Sequence, residues 1–536
     1  MRLSPSAHVD PFCRDRLPPA DQWPEFVFAL PELRYPDRLN AATALLDDTV
    51  ARLGPDRPCL LSPTETWTYG EVLARANRVA HVLATEFGVV PGDRVLLRGT
   101  NTPWLATAWL AVLKVGAVAV TTMPMLRRAE LDKIVARAKP ALAVCDERLL
   151  DELPPGLPVV SYGTELAARA ERHPATFADV PTAADDVALL AFTSGTTGSP
   201  KATMHFHRDL LAIADTFSRH VVRPTADDLF CGTPPLAFTF GLGGLLIFPL
   251  RAGAATLLVE RATPAELAAA VAEKGVTVLF TAPTAYRAIL NAGDGRLLAG
   301  VRRAVSAGES LPAPVAEQYR EIVGRPLIDG LGSTEMLHVF ISAADDDARP
   351  GATGKVVPGY QAAVLDIDGS PVPDGTPGFL AVRGPTGCRY LEDPRQQDYV
   401  RGGWNFTGDT YVRDADGYFR FVARSDDMII SSGYNIAAPE VEEVLLTHPD
   451  VDECAVIGTP DPDRGSVVTA FVVPRPGAAP CTDLVKALQD HAKATAAPYK
   501  YPRRVRFIEA LPRNASGKLQ RYLLRELDIE ARDFSP

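Results

Sequence analysis

The segment Thr193-Ser194-Gly195-Thr196-Thr197-Gly198-Ser199-Pro200-Lys201 concentrates glycines, hydroxyls and one lysine in nine positions. Glycine lets backbone approach a ligand closely, and hydroxyls and an ammonium donate to anionic oxygens, so the composition suits a polyphosphate. It is not a Walker A loop, because the GxxxxGK[ST] spacing is absent and Lys201 follows Pro200. A polar surface loop is the bland alternative; the apolar run Leu189 to Phe192 leading straight into it points instead to a strand that delivers the loop to a site. Three further positions carry suitable chemistry. Glu335, in Gly332-Ser333-Thr334-Glu335-Met336, is a lone carboxylate among small polar residues, the hard oxygen ligand that a magnesium ion beside phosphate requires. Asp409, in Thr407-Gly408-Asp409, sits at a strand-loop junction where a carboxylate accepts either paired ribose hydroxyls or nearby backbone N–H groups. Lys518 ends the glycine-containing turn Asn514-Ala515-Ser516-Gly517; taken alone it reads as a solvated charge.

The elements around these positions predict an α/β protein. Thr68 and Glu71 have the spacing of a capping box ahead of apolar residues at helical period (Val72, Leu73, Ala76, Val79, Ala80, Leu83), with a stop at Gly88. Thr102-Pro103 starts a helix running to Gly116, and AVAVTTM follows as a buried strand. Thr263-Pro264-Ala265-Glu266 repeats the unit, with its helix ending at Gly275 before VTVLF. Alternation of this kind builds parallel sheets covered by helices. After about Gly351, glycine and proline recur between short apolar runs, which predicts antiparallel strands and turns. From Arg424 onward a compact helix-and-strand pattern returns (PEVEEVLL, VDECAVI, VVTAFVV, DLVKALQDHA, RRVRFI). The expected fold is a large N-terminal domain, residues 1–424, of layered α/β subdomains plus a β-rich subdomain, then a small α+β domain, residues 425–536.

Composition excludes several classes. The 536 residues are 46% hydrophobic and 23% charged, the balance of a globular protein. A net charge of -11 argues against a general nucleic-acid binder, so phosphate must be held locally. The seven cysteines are scattered without CxxC pairs, which reads as free thiols in a reducing cytoplasm. The polar, proline-rich start lacks an apolar export segment, and the apolar stretches near Trp104 to Val120 and Leu236 to Leu250 are interrupted by Lys114 or by glycine and proline. The expectation is a cytoplasmic protein with no membrane span.

With these motifs in place, the chain resembles the adenylate-forming superfamily of acyl-CoA synthetases, carrier-loading adenylation domains and beetle luciferases. TSGTTGSPK resembles its phosphate loop, and GLGSTEM, TGD, RSDDMIISSGYNI and PRNASGKLQR occur in the family's order across nearly the whole chain. The resemblance implies ATP, Mg²⁺ and coenzyme A as co-substrates and cofactor. It places Thr193, Ser194, Gly195, Thr196, Thr197, Gly198, Lys201, Glu309, Asp329, Gly330, Leu331, Asp409 and Arg424 at the nucleotide, with Thr334 at phosphate or substrate carboxylate and Glu335 on magnesium. It makes Lys518 the adenylation lysine, on a mobile C-terminal domain that turns about Asp426 and brings Gly433 towards the pantetheine path. One departure is Ala423, where the family often has glycine before the arginine.

SAGES, DGLGSTEMLHVF and PPLAFTFGLGG look most like the benzoate-CoA ligase and 2-aminobenzoate-CoA ligase branch, including Leu331 where many branches place tyrosine. This resemblance lines the acid site with Thr239, Phe240, Ala307, Gly308, Gly332, His338 and Val339, a short slot suited to a planar ring. The implied activity is an ATP-dependent aryl-acid:CoA ligase. The rivals are a stand-alone aryl-AMP ligase that loads a carrier protein, and a luciferase-type oxygenase or silent adenylate sensor, which the intact motifs disfavour. A carboxylate approaching the α-phosphate meets a like charge, a repulsion of roughly 4 kcal/mol at ~4 Å and an effective dielectric of 20. Lysine placed across both groups offsets it in the transition state. Lys518→Ala is therefore expected to slow adenylation by about 10²- to 10³-fold, while thioester formation from supplied acyl-adenylate survives. Equal loss in both half-reactions, measured separately, contradicts the role.

Overall fold

The computed structural model describes residues 3–193, 200–308, 311–366, 368–424, 428–512 and 521–527. Contacts divide the chain into two units, one of Met1–Pro124, Val135–Phe192 and Lys201–Ala423, the other of Met125–Ile134, Thr193–Pro200 and Arg424–Pro536.

The first strands are β1 (Pro58–Leu61) and β2 (Thr66–Thr68). Helix α1 (Tyr69–His81) starts where its capping box predicts: Thr68 Oγ1 accepts from Glu71 N, and Glu71 Oε2 accepts from Thr68 N. A six-stranded sheet follows, built from β3 (Arg94–Arg98), β4 (Val118–Thr122), β5 (Leu142–Asp146), β6 (Val159–Tyr162), β7 (Val187–Thr193) and β8 (Lys201–Phe206), in the order β6-β5-β3-β4-β7-β8. Strands β3, β4 and β5 are buried at every position, as continuous apolar runs between helices must be. Helix α2 (Pro103–Lys114) connects β3 to β4 and is capped by Thr102, whose hydroxyl accepts from Leu105 N.

The second sheet adds β9 (Leu229–Gly232), β10 (Ala255–Leu258), β11 (Val278–Thr281), β12 (Arg303–Ala307), β13 (Ile328–Gly332), β14 (Val339–Ser342) and β15 (Lys355–Val356), in the order β15-β14-β13-β12-β11-β9-β10-β1-β2. Its central run from β13 to β1 is parallel throughout. Parallel strands discharge their loops at one edge, and ligand sites of such sheets form there. The glycine- and proline-rich stretch folds as expected into a mainly antiparallel sheet of β16 (Gln361–Leu365), β17 (Gly378–Arg383), β18 (Val400–Arg401), β19 (Trp404–Arg413) and β20 (Phe419–Arg424).

In the second unit, β21 (Met428–Ser431) and β22 (Tyr434–Ala437) form a hairpin, and β23 (Val451–Asp461), β24 (Gly465–Pro474) and β25 (Arg504–Phe507) form a three-stranded sheet. Ile429, Ile436, Val441, Val456, Val468 and Leu488 share its core. The hairpin turns on Ser432 and Gly433, at φ 49° and 81°. Two consecutive left-handed residues match the right-handed twist of the flanking strands, and glycine adopts that conformation without steric cost. All seven cysteines are free, and among the described residues no helix is long and apolar enough to cross a membrane.

Candidate functional site

Lys201 opens β8, and the chain returns past it: Thr203 bridges Tyr390, Met204 N donates to Arg389 O and Leu391 N donates to Ala202 O. Ser333 to His338 make the turn between β13 and β14, with Leu337 at φ 69°. Ser333 Oγ accepts from Met336 N at 3.2 Å, Leu337 N donates to Thr334 O at 3.1 Å, and Thr386 Oγ1 donates to Met336 O at 2.8 Å. Held this way, Glu335 is only 7% exposed, and its carboxylate lies 3.5 Å from Lys201 Nζ. The structure thus brings together two residues that sequence motifs place more than a hundred positions apart.

Behind the turn, His205 Nε2 lies 2.8 Å from Thr334 O. Burial, with help from the Arg389 charge, pushes this imidazole down to about 3, so the ring is neutral and the hydrogen bond fixes its proton on Nε2. Arg389 Nη2 donates to Asp209 Oδ2, both side chains being fully buried, and the same carboxylate oxygen accepts from Phe206 N at 3.0 Å.

Asp329 lies on β13 in register with Ser306 of β12, which is in register with Thr281 of β11. It is half-buried and lines an open cleft together with Leu311, Arg320 and Ala343. Burial, offset only in part by the Gly330 backbone N–H, pushes its carboxyl up to about 8. Gly330, in register with Ala307, leaves no room for a side chain, since a Cβ there would stand 2.9 Å from Val339 Cγ2. Leu331 is half-buried on the same strand. Asp409 is buried on β19, its N–H bonded to Thr407 Oγ1, and Arg424 ends β20. Thr193 ends β7. Ser194, Gly195, Thr196, Thr197, Gly198, Glu309, Asp426 and Lys518 lie outside the described residues.

Of the residues proposed for the acid, Phe240 and His338 belong to an aromatic wall. Thr239 and Phe240 open a short helix, Thr239–Leu242, and both are half-buried. The Phe240 ring stands 5.4 Å from Phe280 and 5.7 Å from His338, and His338 meets Phe248 edge-on at 4.6 Å. His338 is 2% exposed, and burial pushes it down to about 3, so it too is neutral. Ala307 and Val339 are buried, whereas Gly308 and Gly332 are exposed. Sequence reasoning missed the partners that shape this wall: Phe217, Phe248 and Phe280, and the glycines beneath them. A Cβ at Gly243 would stand 2.4 Å from His338 Cδ2, and one at Gly244 2.5 Å from Phe280 Cδ1. The pair Gly243-Gly244 in GLGG was the available signal. Nothing local marked Tyr390, whose hydroxyl reaches Glu335.

Residues 46–389 match the AMP-binding enzyme family and residues 440–518 its C-terminal domain. The benzoate–CoA ligase of Thauera aromatica is 34% identical over 517 residues, covering 92% of this chain and 97% of that protein. The 3-hydroxybenzoate–CoA ligase of Aromatoleum sp. (strain CIB) is 33% identical, covering 91% and 97%. The crystal structure of the anthranilate CoA ligase AuaEII in complex with anthranoyl-AMP superposes with a TM-score of 0.72 at 32% identity, covering 94% of this chain and 99% of that one. The chain belongs to the AMP-binding enzymes, the adenylate-forming superfamily its motifs resemble, and is an AMP-forming acid–thiol ligase.

Asp329 gives this site a measurable signature. Its folded value near 8 lies above the ~3.9 of an unfolded aspartate, so its contribution to stability is present below about pH 4 and is lost as pH rises through about 8. Asp329→Asn removes the ionisation. The melting temperature of this variant relative to the parent, without ligands, should climb from pH 5 to pH 8 and level off above; a pH-independent difference contradicts the desolvated carboxyl.

Proposed function

We propose that this protein is an aryl-acid:CoA ligase acting on benzoate-type acids, with a preference for an ortho amino or hydroxyl group. The observation that carries the ring preference is Thr239. It precedes Phe240 in the short helix Thr239–Leu242, is half-buried, and its hydroxyl makes no hydrogen bond to any described residue. A threonine whose hydroxyl served only to bond backbone would have such a partner. An ortho donor or acceptor on the ring supplies one. The structural likeness to an anthranilate CoA ligase supports the same reading.

In the first half-reaction a carboxylate oxygen attacks the α-phosphorus of ATP, the bond to the bridging oxygen breaks, and pyrophosphate leaves. The charge that accumulates is met by residues of this chain. The phosphate loop and Lys201 hold the polyphosphate, Lys518 bridges carboxylate and α-phosphate, and Thr334 orients the attacking oxygen. Glu335, a buried hard carboxylate, fits a magnesium ion and would hold it at the polyphosphate. Magnesium there would neutralise charge on the leaving pyrophosphate. Asp409 and Arg424 hold the ribose, and Asp329, Gly330 and Leu331 flank the base.

In the second half-reaction the thiol sulfur of coenzyme A attacks the acyl carbon, the acyl–phosphate bond breaks, AMP leaves and the thiol proton is lost. Residues 425–536 would turn about Asp426 between the two steps and bring Gly433 to the pantetheine path. The Ser432–Gly433 turn has a reason to be rigid: Arg464 Nη1 donates to Ser432 Oγ at 3.1 Å, and Ser432 N donates to Arg464 O.

The ring assignment is tested by kcat/KM for benzoate, 2-aminobenzoate and 2-hydroxybenzoate, each with coenzyme A and with a holo carrier protein as acceptor. The ortho-substituted acids should exceed benzoate by about 2- to 10-fold, the worth of one net hydrogen bond, and Thr239→Ala should abolish that margin. Preference for plain benzoate, or a margin indifferent to Thr239→Ala, contradicts the assignment; transfer to the carrier alone contradicts coenzyme A as acceptor.

A further inference from the structure

Tyr390 touches both charged groups of the site. Its hydroxyl donates to Oε1 of Glu335 at 2.5 Å and accepts from Nζ of Lys201 at 3.0 Å, while Lys201 and Glu335 stay 3.5 Å apart. The direction of both bonds follows from the groups themselves. An ammonium has only donors, so the phenol oxygen accepts from it, and the single phenol proton goes to the carboxylate.

The hydroxyl is aimed by contacts that owe nothing to Glu335. Tyr390 is 1% exposed, its N–H donates to Gln396 Oε1 at 2.8 Å, and the Gln396 amide is fixed in turn by Gln22 O and Cys388 O. Its ring meets Tyr399 edge-on at 5.9 Å, and its backbone bridges Thr203 of β8. The strand that begins with Lys201 therefore also sets where the phenol points. A direct ammonium–carboxylate bond closes to about 2.7–2.9 Å; here the pair is 3.5 Å apart, and the phenol oxygen bonds to both groups from beside them.

We propose that Tyr390 is a positioning residue for the metal-binding carboxylate. By occupying Oε1 it fixes the rotation of Glu335 and leaves Oε2, to which no described residue donates, as the oxygen presented to magnesium. The proposal rests on the reading of Glu335 as the magnesium carboxylate. Mutating a residue that orients a metal ligand through a hydrogen bond typically costs about 10- to 100-fold in metal affinity or activity.

The test uses the full chain and does not depend on turnover. ATP binding to the parent, Tyr390→Phe, Glu335→Gln and the double variant is measured by calorimetry across magnesium concentrations and in EDTA, with no acid present. Phenylalanine keeps the ring and its packing, and melting curves in EDTA check the fold. In Tyr390→Phe the magnesium concentration for half-maximal tightening of ATP should rise on the order of tenfold, with a much smaller change in EDTA. In the Glu335→Gln background the second substitution should add nothing. A parent-like magnesium requirement in Tyr390→Phe, or equal losses with and without magnesium, overturns the positioning role. A parent whose ATP affinity ignores magnesium, or Glu335→Gln with a parental requirement, instead overturns the reading of Glu335 on which it rests.

Discussion

Two opposite charges, both shut away from water, meet at the centre of the large unit: the Asp209 carboxylate and the Arg389 guanidinium. Removing one partner of such a pair strands the other and typically costs about 3–5 kcal/mol. Here the surroundings are arranged so that neither is stranded. Arg389 Nε also donates to Met204 O, the guanidinium lies 3.8 Å from the Phe206 ring centroid, and Asp209 caps its own helix through Phe206 N. The pair therefore ties β8 to the chain segment that carries Tyr390. His205, also on β8, reaches the turn that carries Thr334 and Glu335. Three segments distant in sequence share one anchor, and each presents a group to the site.

Around that anchor the site divides by polarity. On one side Lys201, Tyr390 and Glu335 form a bonded set suited to phosphate and a hard cation. On the other, Phe240, Phe248, Phe280 and a neutral His338 form a wall suited to a flat ring. A substrate with a ring at one end and a carboxylate at the other fits this division. It places the apolar body where dispersion and burial favour it and the reacting oxygen where electrostatics are strong. Neutrality of His338 matters for the same reason, because an imidazolium in the wall would be costly to bury and would compete for the carboxylate.

The fold was legible in the sequence wherever the signal was local. Thr68 and Glu71, or Thr263 and Glu266, are three residues apart and bond as their spacing predicts. Buried parallel strands such as Val118–Thr122 announced themselves as short, mostly apolar and β-branched runs. Long-range placement was not legible. Tyr390 meets Glu335 across 55 residues and Lys201 across 189, and nothing in Arg389-Tyr390-Leu391 marks it as part of a phosphate site. The motifs located Lys201 and Glu335 because each carries an unusual side chain in a small-residue setting. Phe217, Phe248 and Phe280, by contrast, are indistinguishable from core residues until the sheet brings them together with His338. The small unit shows the same contrast: its helix and strands were readable, whereas the left-handed pair Ser432-Gly433 became clear only with the backbone.

Activation of the acid by attack on the α-phosphate of ATP fixes where one of its oxygen atoms goes. With benzoate or 2-aminobenzoate labelled with ¹⁸O in both carboxylate oxygens, one labelled oxygen should pass to AMP for each thioester formed, and the pyrophosphate should carry none. Label in inorganic phosphate together with ADP would place the attack at the terminal phosphate and contradict the account.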